Sequence, residues 1–137
     1  MKIEVSTGEI IDKFTILEIK LKEISDPEKL ANIQKEYDSL KLVVDQIYNE
    51  ANDYSELDVL HKDLFNVNKT LWNIEDLIRE CERQESFGAD FVELARSVYY
   101  TNDDRSDVKK KIKSRDRNIF IMFFFCVTTA NIQTFFK

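Results

Sequence analysis

Glycine and proline are scarce in this chain: two and one in 137 residues. Turns, bulges and hairpins consume those residues, so their scarcity excludes a loop-rich or all-β fold. It implies long helices with few connections. The two cysteines, Cys81 and Cys126, form no CxxC pair and no disulfide framework. Cys81 falls on a helix seam and reads as a small buried apolar residue. His61 is the one histidine, so Ser-His-Asp or Cys-His catalysis has nothing beyond it to build on. There is no GxGxxG, no GxxxxGK(S/T) and no HExxH, so phosphate-loop and zincin chemistry find no support. No N-terminal apolar run of the secretory kind is present, and the apolar run Ile119–Val127 is too short to cross a bilayer. These absences lead to the expectation of a cytoplasmic protein without a membrane span and without a cofactor.

What the chain does have is charge and periodicity. Charged residues make up 34% and hydrophobic ones 43%, with a net charge of −6. That acidic balance argues against nucleic acid as a partner. The local basic run Lys109–Lys113, with Arg115 and Arg117, reads as a charge bias at a helix C-terminus.

Ser6-Thr7-Gly8-Glu9 has capping-box spacing and opens a first helix that runs to about Ile24. Before it, Met1 to Val5 alternates like a short strand or arm. The first helix carries a main stripe of Ile10, Phe14, Leu17, Leu21 and Ile24. Ile11, Ile16 and Ile19 lie off that stripe, which predicts a central helix. Asp26 or Ser25 can cap a second helix with Pro27 in its first turn. Its seam is Leu30, Ile33, Tyr37, Leu40, Val44, Ile47 and Ala51. Ser55 is expected to cap a third helix whose seam is Leu57, Leu60, Leu64, Val67, Leu71, Ile74, Ile78 and Cys81. Gly88 or Asp90 opens a fourth, with Phe91, Leu94, Val98, Asn102, Arg105, Val108 and Ile112 facing inward. Short connections make consecutive helices antiparallel neighbours. The prediction is one all-α domain over residues 1–117, an antiparallel bundle with one shorter and three long helices. The off-stripe isoleucines offer more apolar surface than a small bundle is expected to bury, so a homodimer is expected, with room for a protein partner.

Residues 118–137 differ in style, holding six of the ten phenylalanines and no charge before Lys137. Three readings compete: a terminal strand or helix packed on the bundle, a membrane-surface or partner-binding tail, or a reading-frame slip.

Asn102 and Arg105 stand out because a seam is normally apolar. Around them lies a polar set flanking the seams: Asp12, Lys13 and Glu18 on the first helix; Trp72, Glu75, Asp76 and Arg79 on the third; Arg96 and Tyr99 with Asn102 and Arg105 on the fourth. Arginine offers a fixed fork of donors to a carboxylate or phosphate, and Trp or Tyr beside it offers stacking. One reading is a register-fixing salt-bridge network, with Arg105 or Arg96 paired to Glu18 or Glu75. The other is a site for an anionic metabolite, with Glu18 or Glu75 as acid or base. Carboxylate pairs at i, i+3 (Glu9/Asp12, Glu82/Glu85, Asp104/Asp107) would suit a Mg²⁺-dependent pyrophosphohydrolase only if several converged.

The blocks Glu9 to Lys20, Leu71 to Arg79, Leu94 to Tyr99 and Thr101 to Arg105 together resemble a small family of helical proteins from bacteria, some viruses and marine environments. The resemblance covers about residues 2 to 113. It implies no established activity, only a frequent neighbourhood of glycosyltransferase or surface-polysaccharide genes. It marks Asp12, Lys13, Glu18, Trp72, Glu75, Asp76, Arg79, Arg96, Tyr99, Asn102 and Arg105 as positions typical of the family. Beyond Lys113 that family ends in a polar, charged tail, so this chain departs from it there. The functional expectation is a helical interaction or accessory module, with a small enzyme or ligand binder as the alternative.

Overall fold

A computed structural model describes residues 2–115 and 121–124. It has four helices, α1 (Thr7–Glu23), α2 (Pro27–Glu50), α3 (Tyr54–Arg83) and α4 (Ala89–Arg115), and two short strands, β1 (Lys2–Val5) and β2 (Ile121–Phe124). The architecture is the expected all-α bundle, with one helix of 17 residues and three of 24, 30 and 27. The expected N-terminal strand is also there. It pairs antiparallel with β2, from Lys2 opposite Phe124 to Val5 opposite Ile121. Part of the apolar C-terminal stretch is thereby joined to the N-terminus; the rest of it, Cys126 included, lies outside the described residues.

The helix starts follow side-chain chemistry. Ser6 Oγ accepts from the Glu9 N–H at 3.4 Å, but Glu9 does not reach back to close a box. Its carboxylate pairs with Lys109 at 2.7 Å instead. Asp26 caps α2, accepting from the N–H groups of Glu28 and Lys29 at 2.9 and 3.2 Å. The cap of α3 is Asp53, not Ser55. Asp53 Oδ1 accepts both the Glu56 N–H at 3.1 Å and the Ser55 hydroxyl at 2.8 Å, so Ser55 serves as a donor to the cap. Such a cap stabilises a helix by about 1 kcal/mol.

At its other end α3 closes in a Schellman turn. Ser86 N–H donates to Cys81 O and Glu85 N–H to Glu82 O. Glu85 takes the left-handed position, with φ 51°, where glycine would normally stand. α4 begins at Gly88, whose carbonyl accepts from Val92 N–H at 3.2 Å.

The helices form two hairpins, α1–α2 and α3–α4, and α1 joins them by packing on both α3 and α4. α2 meets α3 only thinly despite the three-residue link between them. α1 is therefore the central helix that its off-stripe isoleucines predicted. Of the off-stripe isoleucines, Ile11 and Ile19 are 0% and 1% exposed within the single chain and Ile16 is half-buried. The main core joins Ile10, Ile11, Phe14 and Leu17 of α1 to Leu40, Val44 and Ile47 of α2, Leu57, Leu60 and Leu64 of α3, and Ile112 of α4. Phe14 stacks on Tyr37 at 4.8 Å and meets the edge of His61 at 5.8 Å.

Two sequence expectations about seams change. α3 buries Asn68, at 0% exposure, while Val67 is only half-buried. In α4 only Ile112 is buried, and Asn102 is exposed rather than inward.

Gly8 sets how closely α1 approaches α4. A Cβ there would lie 2.5 Å from the Lys109 carbonyl oxygen, a backbone atom that cannot move without its helix. Gly8→Ala should therefore destabilise the fold by about 1–3 kcal/mol as an overpacked contact, despite alanine's better helix propensity. Urea unfolding followed by far-ultraviolet circular dichroism measures this; unchanged or increased stability would show that α4 can yield.

Candidate functional site

The polar set does assemble, around a different carboxylate from the one expected. Asp12, on the first turns of α1, is 3% exposed. Arg105 grips it with both arms of its fork, Nε to Oδ1 at 2.8 Å and Nη2 to Oδ2 at 2.5 Å. Asn68 Nδ2 donates to the same Oδ1 at 3.0 Å and to Thr15 Oγ1 at 2.7 Å. Thr15 in turn donates to the Asp12 carbonyl at 2.7 Å. Lys109 stands 3.8 Å from Asp12 Oδ2 and 2.7 Å from Glu9. One buried carboxylate on α1 thus gathers charge and donors from α3 and α4 where Gly8 lets the helices touch.

The network reading had Arg105 or Arg96 meeting Glu18 or Glu75; Arg105 meets Asp12, and Arg105 and Glu75 are each engaged with a further group. The reason is depth: a buried carboxylate needs a cation and donors, and Asp12 is the deeper group. Glu18 turns the other way. Its Oε2 lies 3.2 Å from His61 Nε2, and His61 Nδ1 lies 2.8 Å from the Tyr48 hydroxyl. This second chain ties α1, α2 and α3 together. Both ring nitrogens of His61 are thereby engaged, Nδ1 with Tyr48 and Nε2 with Glu18. Burial pushes the Tyr48 phenol above its ordinary value, with the negative charge of Asp58 adding to it.

Trp72 is buried at 2% exposure on α3. Lys13, Glu75 and Asp76 are half-buried, and each is engaged with another group. Arg79 is half-buried. Arg96 lies exposed on α4, and neighbouring Tyr100 and Tyr99 hold its guanidinium above its ordinary value. The two tyrosine rings stand 4.3 Å apart. Asn102 accepts a long bond of 3.4 Å from Arg105 Nη1. Arg96 and Arg105 are nine residues apart, about 13 Å of helix, and the Arg105 fork is turned to Asp12. The arginines do not converge on one anion.

Among the described residues no group of three or more His, Cys, Asp or Glu is arranged to hold a metal ion. The pair Glu9/Asp12 is taken by Lys109 and Arg105. A cavity of about 220 Å³ lies at the α2–α3 turn, lined by Asp53, Glu56, Leu57, Ile112 and Arg115 among others; none of the candidate residues lines it.

Sequence reasoning missed Asn68, Thr15, Lys109 and the Tyr48–His61 contact. Asn68 had a signal: it stands four residues after Leu64 and three before Leu71, on the buried face itself.

Residues 1–134 match the family of unknown function DUF6165. That span runs past Lys113, where the resemblance was expected to end, and through most of the apolar C-terminal stretch. No curated protein and no solved structure matches the chain.

Two outcomes follow from the geometry. Arg105→Met leaves Asp12 buried without its cation and should cost about 3–5 kcal/mol. Asp12→Asn combined with Arg105→Met keeps an acceptor for Asn68 and removes the stranded charge, so it should cost clearly less than Arg105→Met alone. Chemical denaturation of wild type and both variants tests this, and equal losses would show that Asp12 is not what Arg105 serves. For Tyr48, the folded state favours the neutral phenol. Its contribution is fully present below the unfolded value near 10 and is lost as pH rises above it. Tyr48→Phe should lose about 1 kcal/mol at neutral pH and flatten the alkaline fall in stability. A pH series of melting temperatures checks it; an unaltered alkaline limb in the variant would refute the assignment.

Proposed function

The chain belongs to this family of unknown function, and we propose that it is a helical interaction module whose buried polar network is structural. The observation that supports this is closure. The one arginine placed at the centre of the candidate site spends its bidentate fork on Asp12 of its own chain. A site for an anionic metabolite needs that fork open toward a pocket. Asp12 also receives Asn68 and stands near Lys109, so it is held as a pinned anion rather than as an acid or base. The Glu18–His61–Tyr48 chain is likewise complete within the fold.

No helix among the described residues is long and apolar enough to cross a membrane. For the machinery that the module would serve, the support is the gene neighbourhood implied by the resemblance, surface-polysaccharide and glycosyltransferase genes.

A thermal-shift screen against nucleotides, nucleotide sugars, inorganic phosphate and divalent metals tests the reading. The expected result is a flat profile across all of them. A ligand that raises the melting temperature, with the shift lost in Arg105→Met while that variant still melts cooperatively, would overturn it in favour of a small-molecule site.

A further inference from the structure

Beyond Ile74, the last buried residue of α3, the α3–α4 hairpin changes character. No residue from Glu75 to Asp104 is buried. The hairpin holds together there by α3–α4 packing in which Ile78, Cys81, Phe91, Leu94 and Val98 are only half-buried. Beside these it exposes large apolar groups. Leu77, Phe87, Val92, Tyr99 and Tyr100 are each 51–54% exposed, five of the eight large hydrophobic residues exposed among the described residues. Phe87 and Phe91 pack edge to face at 5.3 Å, which fixes an aromatic pair beside the turn.

The charge of the same segment is one-sided. Residues 75–104 carry nine acidic and three basic side chains, a net −6, which equals the charge of the whole chain. All other residues sum to zero. Acidic groups interleaved with exposed apolar and aromatic ones are the complement of a basic amphipathic surface. A second copy is the poorer occupant, because two such segments would bring −6 against −6.

We infer that residues 75–104 form a docking surface for a basic amphipathic helix of a partner protein, its lysines or arginines set against the acidic side chains and its apolar stripe against Val92, Tyr99 and their neighbours. This rests on the interaction-module reading and names its surface and the chemistry of its partner. Helix-on-hairpin docking would complete a three-helix contact that α1 provides for the proximal half of α3–α4 but not for this half.

The test uses the full chain and a peptide of leucine and lysine, about eighteen residues or five helical turns long, with leucines at alternating three- and four-residue spacing. A second peptide has glutamate in place of every lysine. Fluorescence anisotropy should show binding of the lysine peptide and not of the glutamate peptide. That binding should weaken as salt rises, since charges are screened over about 10 Å at 0.1 M. Glu82→Lys/Asp90→Lys/Glu93→Lys should weaken it by roughly tenfold or more. Asp38→Lys/Glu50→Lys/Asp63→Lys, which makes the same change of charge outside the surface, should alter it less than about threefold. Val92→Ser/Tyr99→Ser should also weaken it, reporting the apolar part independently of charge. Hydrogen exchange should slow within residues 75–104. Failure to bind the lysine peptide, equal weakening by the two lysine-substituted variants, or protection elsewhere would overturn the proposal. So would a dimer in light scattering that Val92→Ser/Tyr99→Ser dissociates, which would give the surface to a second copy. These outcomes are separate from the small-ligand screen: a ligand shift lost with Arg105 would bring down the module reading itself.

Discussion

A buried carboxylate has to be answered, and Asp12 of α1 is answered from both α3 and α4. At 3% exposure an ionised carboxylate would cost several kcal/mol if left alone. Arg105 from α4, Asn68 from α3 and the backbone contact permitted by Gly8 all meet that demand at one place. Apolar packing tolerates sliding by a helical turn, because one leucine replaces another. A bidentate guanidinium does not tolerate it, since both oxygens must be met in one geometry. The pair therefore sets the register of α1 against the α3–α4 hairpin, and the hydrophobic core fills in around a register already fixed. A lone buried Asn has the same effect in coiled coils, where it specifies alignment at some cost in stability.

The division of labour along α3 and α4 follows from that placement. The pair sits where α1 crosses the hairpin, so the proximal half is three helices thick and well covered. The distal half is two helices thick. A two-helix hairpin has one seam and two open faces, and its side chains at the seam are only half-buried. Its turn is fixed by backbone geometry: a Schellman closure with Glu85 in the left-handed region. A glutamate there costs about 1–2 kcal/mol relative to glycine. That turn geometry is set although little apolar burial supports this half of the hairpin.

Most of the architecture was legible in the sequence. Heptad-like spacing located all four helices, the apolar surplus of Ile11 and Ile19 identified the central one, and Pro27 with Asp26 marked a true start. The candidate site was legible only in part. Arg105 was singled out because it breaks an apolar pattern, but its contact with Asp12 could not be read, since Asp12, Glu18 and Glu75 are chemically equivalent in a string of letters. What separates them is depth, and depth depends on the crossing of α1 over α3 and α4, a tertiary quantity. Asn68 was missed for a related reason. The fit of a perfect three–four alternation favoured Val67, whereas a continuous helix of 3.6 residues per turn drifts from that alternation and carries Asn68 inward.

The same drift explains why Asn102 did not behave like Arg105. Both fall on the idealised seam of α4, three residues apart. Only Arg105 has the reach to bring a charged head to Asp12 from a half-buried position; Asn102 is exposed and serves as an acceptor for Arg105. The unusual pair thus resolves into one anchoring group and one helper at its edge. From that point toward the turn, no residue of α4 is fully buried. The anchor marks the boundary between the part of the hairpin that the chain uses to fold and the part that it leaves open, and the whole net charge of the molecule lies on the open side.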